Sequence, residues 1–298
     1  MKMQAFGDSI TLGTGASPSS QSYMNLMVPI NSGVGGAQAA DVSNLVVTQS
    51  PVPSYILNIG TNDVCVYKDS LVKRQYFEIF LRHCLAWISL PSRVTGRNMT
   101  TTGTWSPTQA NSFGVNTTQI GATAKTTVSG NKIFVGYILQ NHPTALSSAD
   151  VYVDDILVGS ISCDGMTVPI NTQNNANTFA YYANACKVFE VSAGIHEVKI
   201  ICTSSGKQLY VNYVVGSDQV ASPVKVGNII KQSSAGYSLY GVNVSTTQAY
   251  NGIIENVVSD FSAAELIDNY SYIDPSIHLA DNLHPNNAGH LIINSNFS

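Results

Sequence analysis

The chain has 298 residues, 44% hydrophobic and only 11% charged, with 14 basic and 18 acidic side chains giving a formal charge of −4. That length and apolar content support a substantial core and two domains rather than one, and the lack of a basic surplus speaks against a nucleic-acid partner. No apolar run approaches membrane-spanning length, so no membrane segment is expected.

Met3-Gln4-Ala5-Phe6 reads as a short buried strand, and Gly7-Asp8-Ser9 follows where a strand gives way to a turn, a good place for a nucleophile. Ser22 to Val28 reads as a short helix and Pro29-Ile30-Asn31 as a strand. Asp41 to Val47 reads as a second helix, with Val42, Leu45 and Val46 on one face. Ser54 to Ile59 is a strand that ends at Gly60. From Ser70, a capping residue, apolar side chains recur at Val72, Tyr76, Ile79, Phe80, Cys84, Trp87 and Ile88, a helix of about five turns that Pro91 stops. Strand and helix in alternation predict a parallel sheet covered by helices.

After Pro91 the pattern changes. Residues 95–129 are crowded with Thr, Ser, Asn and Gly, and the periodicity then becomes two up to about residue 217. Lys132 to Tyr137 reads as a strand, Val151 to Val158 as a hairpin turning at Asp154-Asp155, and His196–Ile201 with Gln208–Val215 as another joined by Ser204-Ser205-Gly206. Residues 95–217 are therefore expected to be an inserted β-sandwich. Helical signals return with the stripe Ile253, Ile254, Val257, Val258 and Phe261. Val224–Lys231 and Tyr270–Ile273 read as strands, and Asn286 to Ile293 as a closing helix. The α/β domain is thus split into residues 1–94 and 218–298. The five cysteines lack CxxC spacing and read as buried apolar residues, a Cys163–Cys186 bridge being the one pairing considered. The six histidines show no metal-site spacing, so no metal or cofactor is expected.

A serine hydroxyl needs a base, and the base an acid that fixes its tautomer. Asp281-Asn282-Leu283-His284 offers that pair from one turn before the last helix. His278 and His290 lack an aspartate three residues earlier and read as surface or packing residues, and Asp274 before Pro275 as a turn former. Asp8 reads as a structural turn acid. Gly33-Val34-Gly35-Gly36 and Gly60-Thr61-Asn62-Asp63 follow two further strands and offer backbone and side-chain N–H donors for an oxyanion. In a parallel sheet these strand ends lie on one edge.

GDSIT at 7–11, NSGVGG at 31–36, GTND at 60–63 and DNLHP at 281–285 resemble, in order, the four blocks of the SGNH (GDSL-type) hydrolases. The resemblance covers residues 1–94 and 218–298 and implies a three-layer α/β/α fold around a parallel sheet of about five strands. It implies Ser9 as nucleophile, His284 as base and Asp281 as its orienter, with an oxyanion hole formed by the Ser9 N–H, the Gly36 N–H and the Asn62 side chain. The insertion resembles carbohydrate-binding-like β-sandwiches within some bacterial and bacteriophage members. The expected activity is a serine esterase releasing small acyl groups, acetyl first, from a carbohydrate. A non-catalytic carbohydrate- or receptor-binding or structural module that keeps the fold, such as a phage tail component, is the alternative, with a lipase or thioesterase as further ones. Tyr237 and Tyr240, in a Gly/Ser-rich loop, are expected to line the cleft, and Trp105 is either core or a sugar-stacking residue. With Met1 followed almost at once by strand signal, no secretion signal is expected, which fits a phage virion protein released by lysis or a cytoplasmic enzyme. Oligomeric state leaves no mark in the sequence.

Overall fold

The computed structural model describes residues 2–27, 30–141, 147–165, 182–204 and 206–298. Val28, Pro29 and Ser205, which the sequence assigns to a helix, a strand and a turn, lie outside them. The chain divides into two compact units, one formed by the segments up to Ser89 and from Ser222 to Ser298, the other lying between Leu90 and Ala221.

In the first unit, Met3–Gly7 (β1), Ile30–Gly33 (β2) and Ser54–Asn58 (β3) join strands Val224–Gly227 and Ala264–Ile267 in a five-stranded sheet. The order is Ala264–Ile267, Val224–Gly227, β3, β1, β2, and every neighbouring pair is parallel. The register aligns Gly33, Gly7, Asn58, Gly227 and Ile267 in one row across the sheet. Alternation along the strands sends Ala5 and Ile56 to one face. There they form a buried cluster with Tyr23 and Met24 of helix Tyr23–Met27 and with Ile293 and Phe297 of helix Asn287–Phe297. Helices Ala39–Val46, Leu71–Ser89 and Val244–Val258 pack side by side as a second helical layer. The three-layer α/β/α arrangement expected from the motif order is the one observed.

The long helix Leu71–Ser89 starts and stops where the sequence places it, but its buried stripe differs. Phe77, Phe80, Leu81, Cys84, Leu85 and Ile88 are buried at the three- and four-residue spacing of a helix face, whereas Val72 is 52% exposed. Burying each such Phe, Leu or Ile stabilises by roughly 1.5–3 kcal/mol. Leaving this helix, the chain exits the unit at Ser89 and re-enters at Ser222, whose N–H donates to the Ser89 carbonyl at 2.8 Å. Adjacent exit and entry points are what an inserted segment needs.

Two other expectations change. Tyr270–Ile273 is a turn, not a strand; the fifth strand is Ala264–Ile267, and the Asn228 Oδ1 accepts the Asn269 and Tyr270 N–H groups beyond it. The segment carrying Tyr237 and Tyr240 is a helix, Ser234–Tyr240, whose N-cap Ser233 accepts the Gly236 N–H. A serine cap followed by small residues starts a helix where composition alone reads as loop.

The second unit is antiparallel β. Its sheet is built on two long paired strands, Thr123–Gln140 and Tyr182–Cys202, with a register shift between Glu190 and Gly194. The first half of Thr123–Gln140 also pairs with Thr100–Thr102, and its second half with Leu209–Gly216, so the long strands belong to two sets of neighbours, as in a sandwich. The Val151–Val158 hairpin forms, with Asp154 and Asp155 both at positive φ (51° and 63°) as a type I′ turn demands. The second predicted hairpin does not form. Segments 196–201 and 209–216 both hydrogen-bond to Thr123–Gln140, which lies between them. None of the five cysteines forms a disulfide, so Cys163 and Cys186 do not pair; the Cys163 thiol instead accepts the Tyr210 N–H.

Gly7 shows why the first motif starts with glycine. A Cβ there would lie 2.2 Å from the Asn58 carbonyl and 2.1 Å from the Thr11 Oγ1. Gly7→Ala should therefore push β1 from β3 and lower stability by about 1–3 kcal/mol in urea denaturation. An unchanged unfolding midpoint would remove this close approach as a constraint.

Candidate active site

Asp8 ends β1 in extended conformation and caps the four-residue helix Ser9–Leu12, its Oδ1 accepting the Ile10 N–H at 2.9 Å. Ser9 is therefore the first helical residue, where the backbone N–H has no partner inside the helix. The residue is buried, 8% exposed. The Ser9 Oγ lies 3.0 Å from the His284 Nε2, and the His284 Nδ1 lies 2.8 Å from the Asp281 Oδ2. With Nδ1–H donated to the carboxylate, Nε2 is left as an acceptor for the serine proton. The other Asp281 oxygen accepts the N–H groups of Leu283 and His284, each at 2.7 Å. Burial works to raise the Asp281 carboxyl, but these N–H groups and the imidazole outweigh it and hold it below the usual range.

The turn that carries His284 is fixed from two sides. Ser233 donates its hydroxyl to the Asn282 Oδ1 at 2.9 Å and its N–H to the Asn282 carbonyl at 3.1 Å. Opposite, Gly15 at φ 94° sits so near that a Cβ would lie 2.2 Å from the Pro285 carbonyl. Neither contact is signalled by local sequence, since partners some 50 and 270 positions away make them.

Asn62 lies in the first turn of helix Thr61–Tyr67, directly beyond β3, and Gly36 in the turn beyond β2 at φ 76°, a conformation glycine adopts freely. One Asn62 Nδ2 hydrogen is donated to the Ala37 carbonyl at 3.0 Å, which leaves the amide a second hydrogen. Asp63, not singled out from the sequence, is fully buried and accepts the Ala39 N–H through both oxygens at 3.1 and 3.2 Å. Asn62 and Asp63 thus sew the β2 loop to the β3 loop.

The remaining candidates separate. His290 is buried, stacks on Tyr23 and donates from Nε2 to the Thr14 carbonyl at 3.1 Å; burial pushes it down. The His278 Nδ1 accepts the Asp274 N–H, and Asp274 caps helix Pro275–His278. Tyr237 accepts the Gln232 N–H on its hydroxyl, and Tyr240 lies within electrostatic range of Asp281, with burial raising its phenol. Trp105 belongs to the second unit and is neither core nor fully exposed, its Nε1 donating to the Thr102 carbonyl at 3.1 Å. Among the described residues no group of three or more His, Cys, Asp or Glu could hold a metal ion, and no helix is long and apolar enough to cross a membrane.

No protein-family model and no curated protein matches the sequence. Solved structures similar to it include a member of the lipolytic protein G-D-S-L family from Veillonella parvula, 13% identical with a TM-score of 0.46, the match covering 99% of this chain and 95% of that one. A two-domain esterase active on acetylated mannans, co-crystallised with mannopentaose, is 12% identical with a TM-score of 0.41 over 74% of this chain and 90% of its own. The CBM36-1 domain of a multidomain xylanase from the hindgut metagenome of Trinervitermes trinervoides is 15% identical with a TM-score of 0.32 over 41% of this chain and 93% of its own.

Burial raises three carboxyls behind the site. Asp8 and Asp41 are each raised to about 6 and Asp63 well above the usual range, with mutual repulsion adding to the Asp63 shift. An acid whose folded pKa exceeds its unfolded value holds more protons when folded, so stability is lost as pH rises through that window. Between about pH 4 and pH 7 Asp8 should account for a loss of about 3 kcal/mol. Asp8→Asn keeps the acceptor for Ile10 and should flatten the pH dependence of the unfolding free energy by that amount; a slope equal to the parent's would refute it.

Proposed function

We propose that the protein is a serine ester hydrolase of the SGNH (GDSL-type) kind, working through an acyl-enzyme. One observation carries the reading: a serine hydroxyl at the C-terminal edge of a parallel sheet lies 3.0 Å from an imidazole nitrogen whose opposite nitrogen is held by a carboxylate. His284 takes the Ser9 proton as Oγ bonds to the ester carbonyl carbon, and the displaced electron pair rests on the carbonyl oxygen. The Ser9 N–H, the Gly36 N–H and the free Asn62 amide hydrogen receive that oxyanion. His284 then returns the proton to the departing alcohol as the C–O bond breaks. A water, deprotonated by His284, cleaves the acyl-enzyme and releases the acid. Asp281 remains ionised throughout and stabilises the imidazolium.

The substrate we propose is a short acyl ester, acetyl first, on a carbohydrate. The long Thr-, Ser-, Asn- and Tyr-rich β insertion supports a hydroxyl-rich partner, and the chain has no broad apolar segment of the kind a long-chain lipid would need.

Acetate release from a panel of acetylated glycans, with Ser9→Ala as control, tests this directly. Ser9→Ala should lose about 10³-fold or more in hydrolysis of p-nitrophenyl acetate and fail to form a mass-detectable acyl adduct; equal rates in the two proteins would end the proposal. Asn62→Ala should lower kcat by about 10²–10³ with little change in KM, since the donor acts on charge that develops only in the transition state. Steady-state kinetics with unaltered kcat would remove Asn62 from the mechanism.

A further inference from the structure

We infer that Ser233 is a positioning residue for the reaction proposed above: acting through Asn282, it sets where the His284 imidazole stands relative to Ser9. This rests on the ester-hydrolase reading, in which His284 is the base.

The turn that carries acid and base is closed on itself. The Ala280 N–H donates to the His284 carbonyl at 2.8 Å and the Asn286 N–H to the His278 carbonyl at 2.9 Å, an antiparallel bridge that pairs Leu279 with Pro285. Within it Asp281 holds the N–H groups of Leu283 and His284 through one oxygen and the imidazole through the other. Acid and base therefore move as one body. Displacing that body leaves the Asp281–His284 pair intact and opens the 3.0 Å contact with Ser9. Leu283 is buried and anchors the turn, but apolar packing is non-directional and leaves orientation to polar contacts.

Ser233 supplies that orientation from outside the turn. Its hydroxyl oxygen accepts the Gly236 N–H at 3.0 Å, capping helix Ser234–Tyr240, and its one hydrogen goes to the Asn282 Oδ1 at 2.9 Å. Its N–H reaches the Asn282 carbonyl at 3.1 Å, so two bonds meet the residue that directly follows Asp281. Bonds to two points of one residue fix a direction as well as a distance. The support is itself anchored. Ile229, four positions earlier, is buried, and its N–H and carbonyl are both bonded to the Asn251 side chain on helix Val244–Val258, at 2.8 and 3.0 Å. At Gly236 the helix comes so near that a Cβ would lie 2.5 Å from the Asn282 carbonyl. A shift of about 1 Å at a reacting group can cost about 10²-fold in rate, so the tie has kinetic weight.

Ser233→Ala would remove the helix cap together with the tie. Asn282→Ala breaks the hydroxyl bond and leaves the cap, so it carries the test. It should melt as cooperatively as the parent and lower kcat for p-nitrophenyl acetate by about 5–50-fold, with KM within about twofold. Ser233→Thr, which keeps a hydroxyl at the same place, should hydrolyse at the parental rate. Nitrogen NMR of protein labelled in its histidine rings reads the position without turnover. Ser9→Ala supplies the His284 Nε2 signal of an imidazole without its serine partner. In Asn282→Ala that signal should move toward the Ser9→Ala position, while the Nδ1 signal, held by Asp281, keeps its parental place. A parental Nε2 signal in folded Asn282→Ala, or a kcat within twofold of the parent's, would overturn the assignment. A parent that hydrolyses no ester would end the esterase reading, and the Nε2 comparison would still decide whether Ser233 sets the imidazole's place.

Discussion

The parallel register of five strands governs everything at the candidate site. Because Gly33, Gly7, Asn58, Gly227 and Ile267 share one row, the segments that follow them must emerge side by side. Ser9, Gly36 and Asn62 come from three such segments, following β1, β2 and β3 respectively, with β1 lying between the other two. Register is enforced by alternation: a slip of one residue would turn Ala5 and Ile56 away from the cluster around Tyr23 and Phe297 and bury the wrong set. The row also demands close approach, which is why Gly7, whose added Cβ would press on the Asn58 carbonyl, stands beside Asn58 at the row's centre.

Loops that emerge together must still be held, and short polar side chains do this. Asn62 and Asp63 tie the β2 loop to the β3 loop, and Asn228 joins the ends of the last two strands through Asp268, Asn269 and Tyr270. Ser233 grips Asn282 beside the histidine. The bonds from Asn62, Asp63 and Asn228 to Ala37, Ala39, Asn269 and Tyr270 satisfy backbone groups, so order at the site and stability of the unit come from the same bonds. Burying carboxyls for this purpose has a cost, visible in the raised Asp8, Asp41 and Asp63. The Asp281 carboxyl goes the other way because it has backbone donors and an imidazole as partners. Carboxyls raised by burial and one held below the usual range thus coexist in one unit.

The β unit solves a different problem. Two long strands with several short neighbours leave amide and phenol side chains at the strand ends, and an uncharged polar pocket results.

Local pattern determined much of this. The strand before Gly7, the long helix ended by Pro91, the closing helix and the Asp154-Asp155 hairpin follow from periodicity and turn chemistry, which depend on neighbours in sequence. Ser9, Asp281 and His284 were legible because a serine, an aspartate and a histidine each occupy a recognisable strand or turn end, although the Ser9–His284 contact spans 275 positions. What tertiary structure alone decided is what depends on distant partners. Segments 196–201 and 209–216 look like a hairpin, yet a longer strand passes between them. Tyr270–Ile273 looks like a strand, yet the sheet is already complete at Ile267. Asp63, Gly15 and Ser233 look unremarkable in sequence, because their roles are set by backbone groups that only the folded chain brings within a few ångströms.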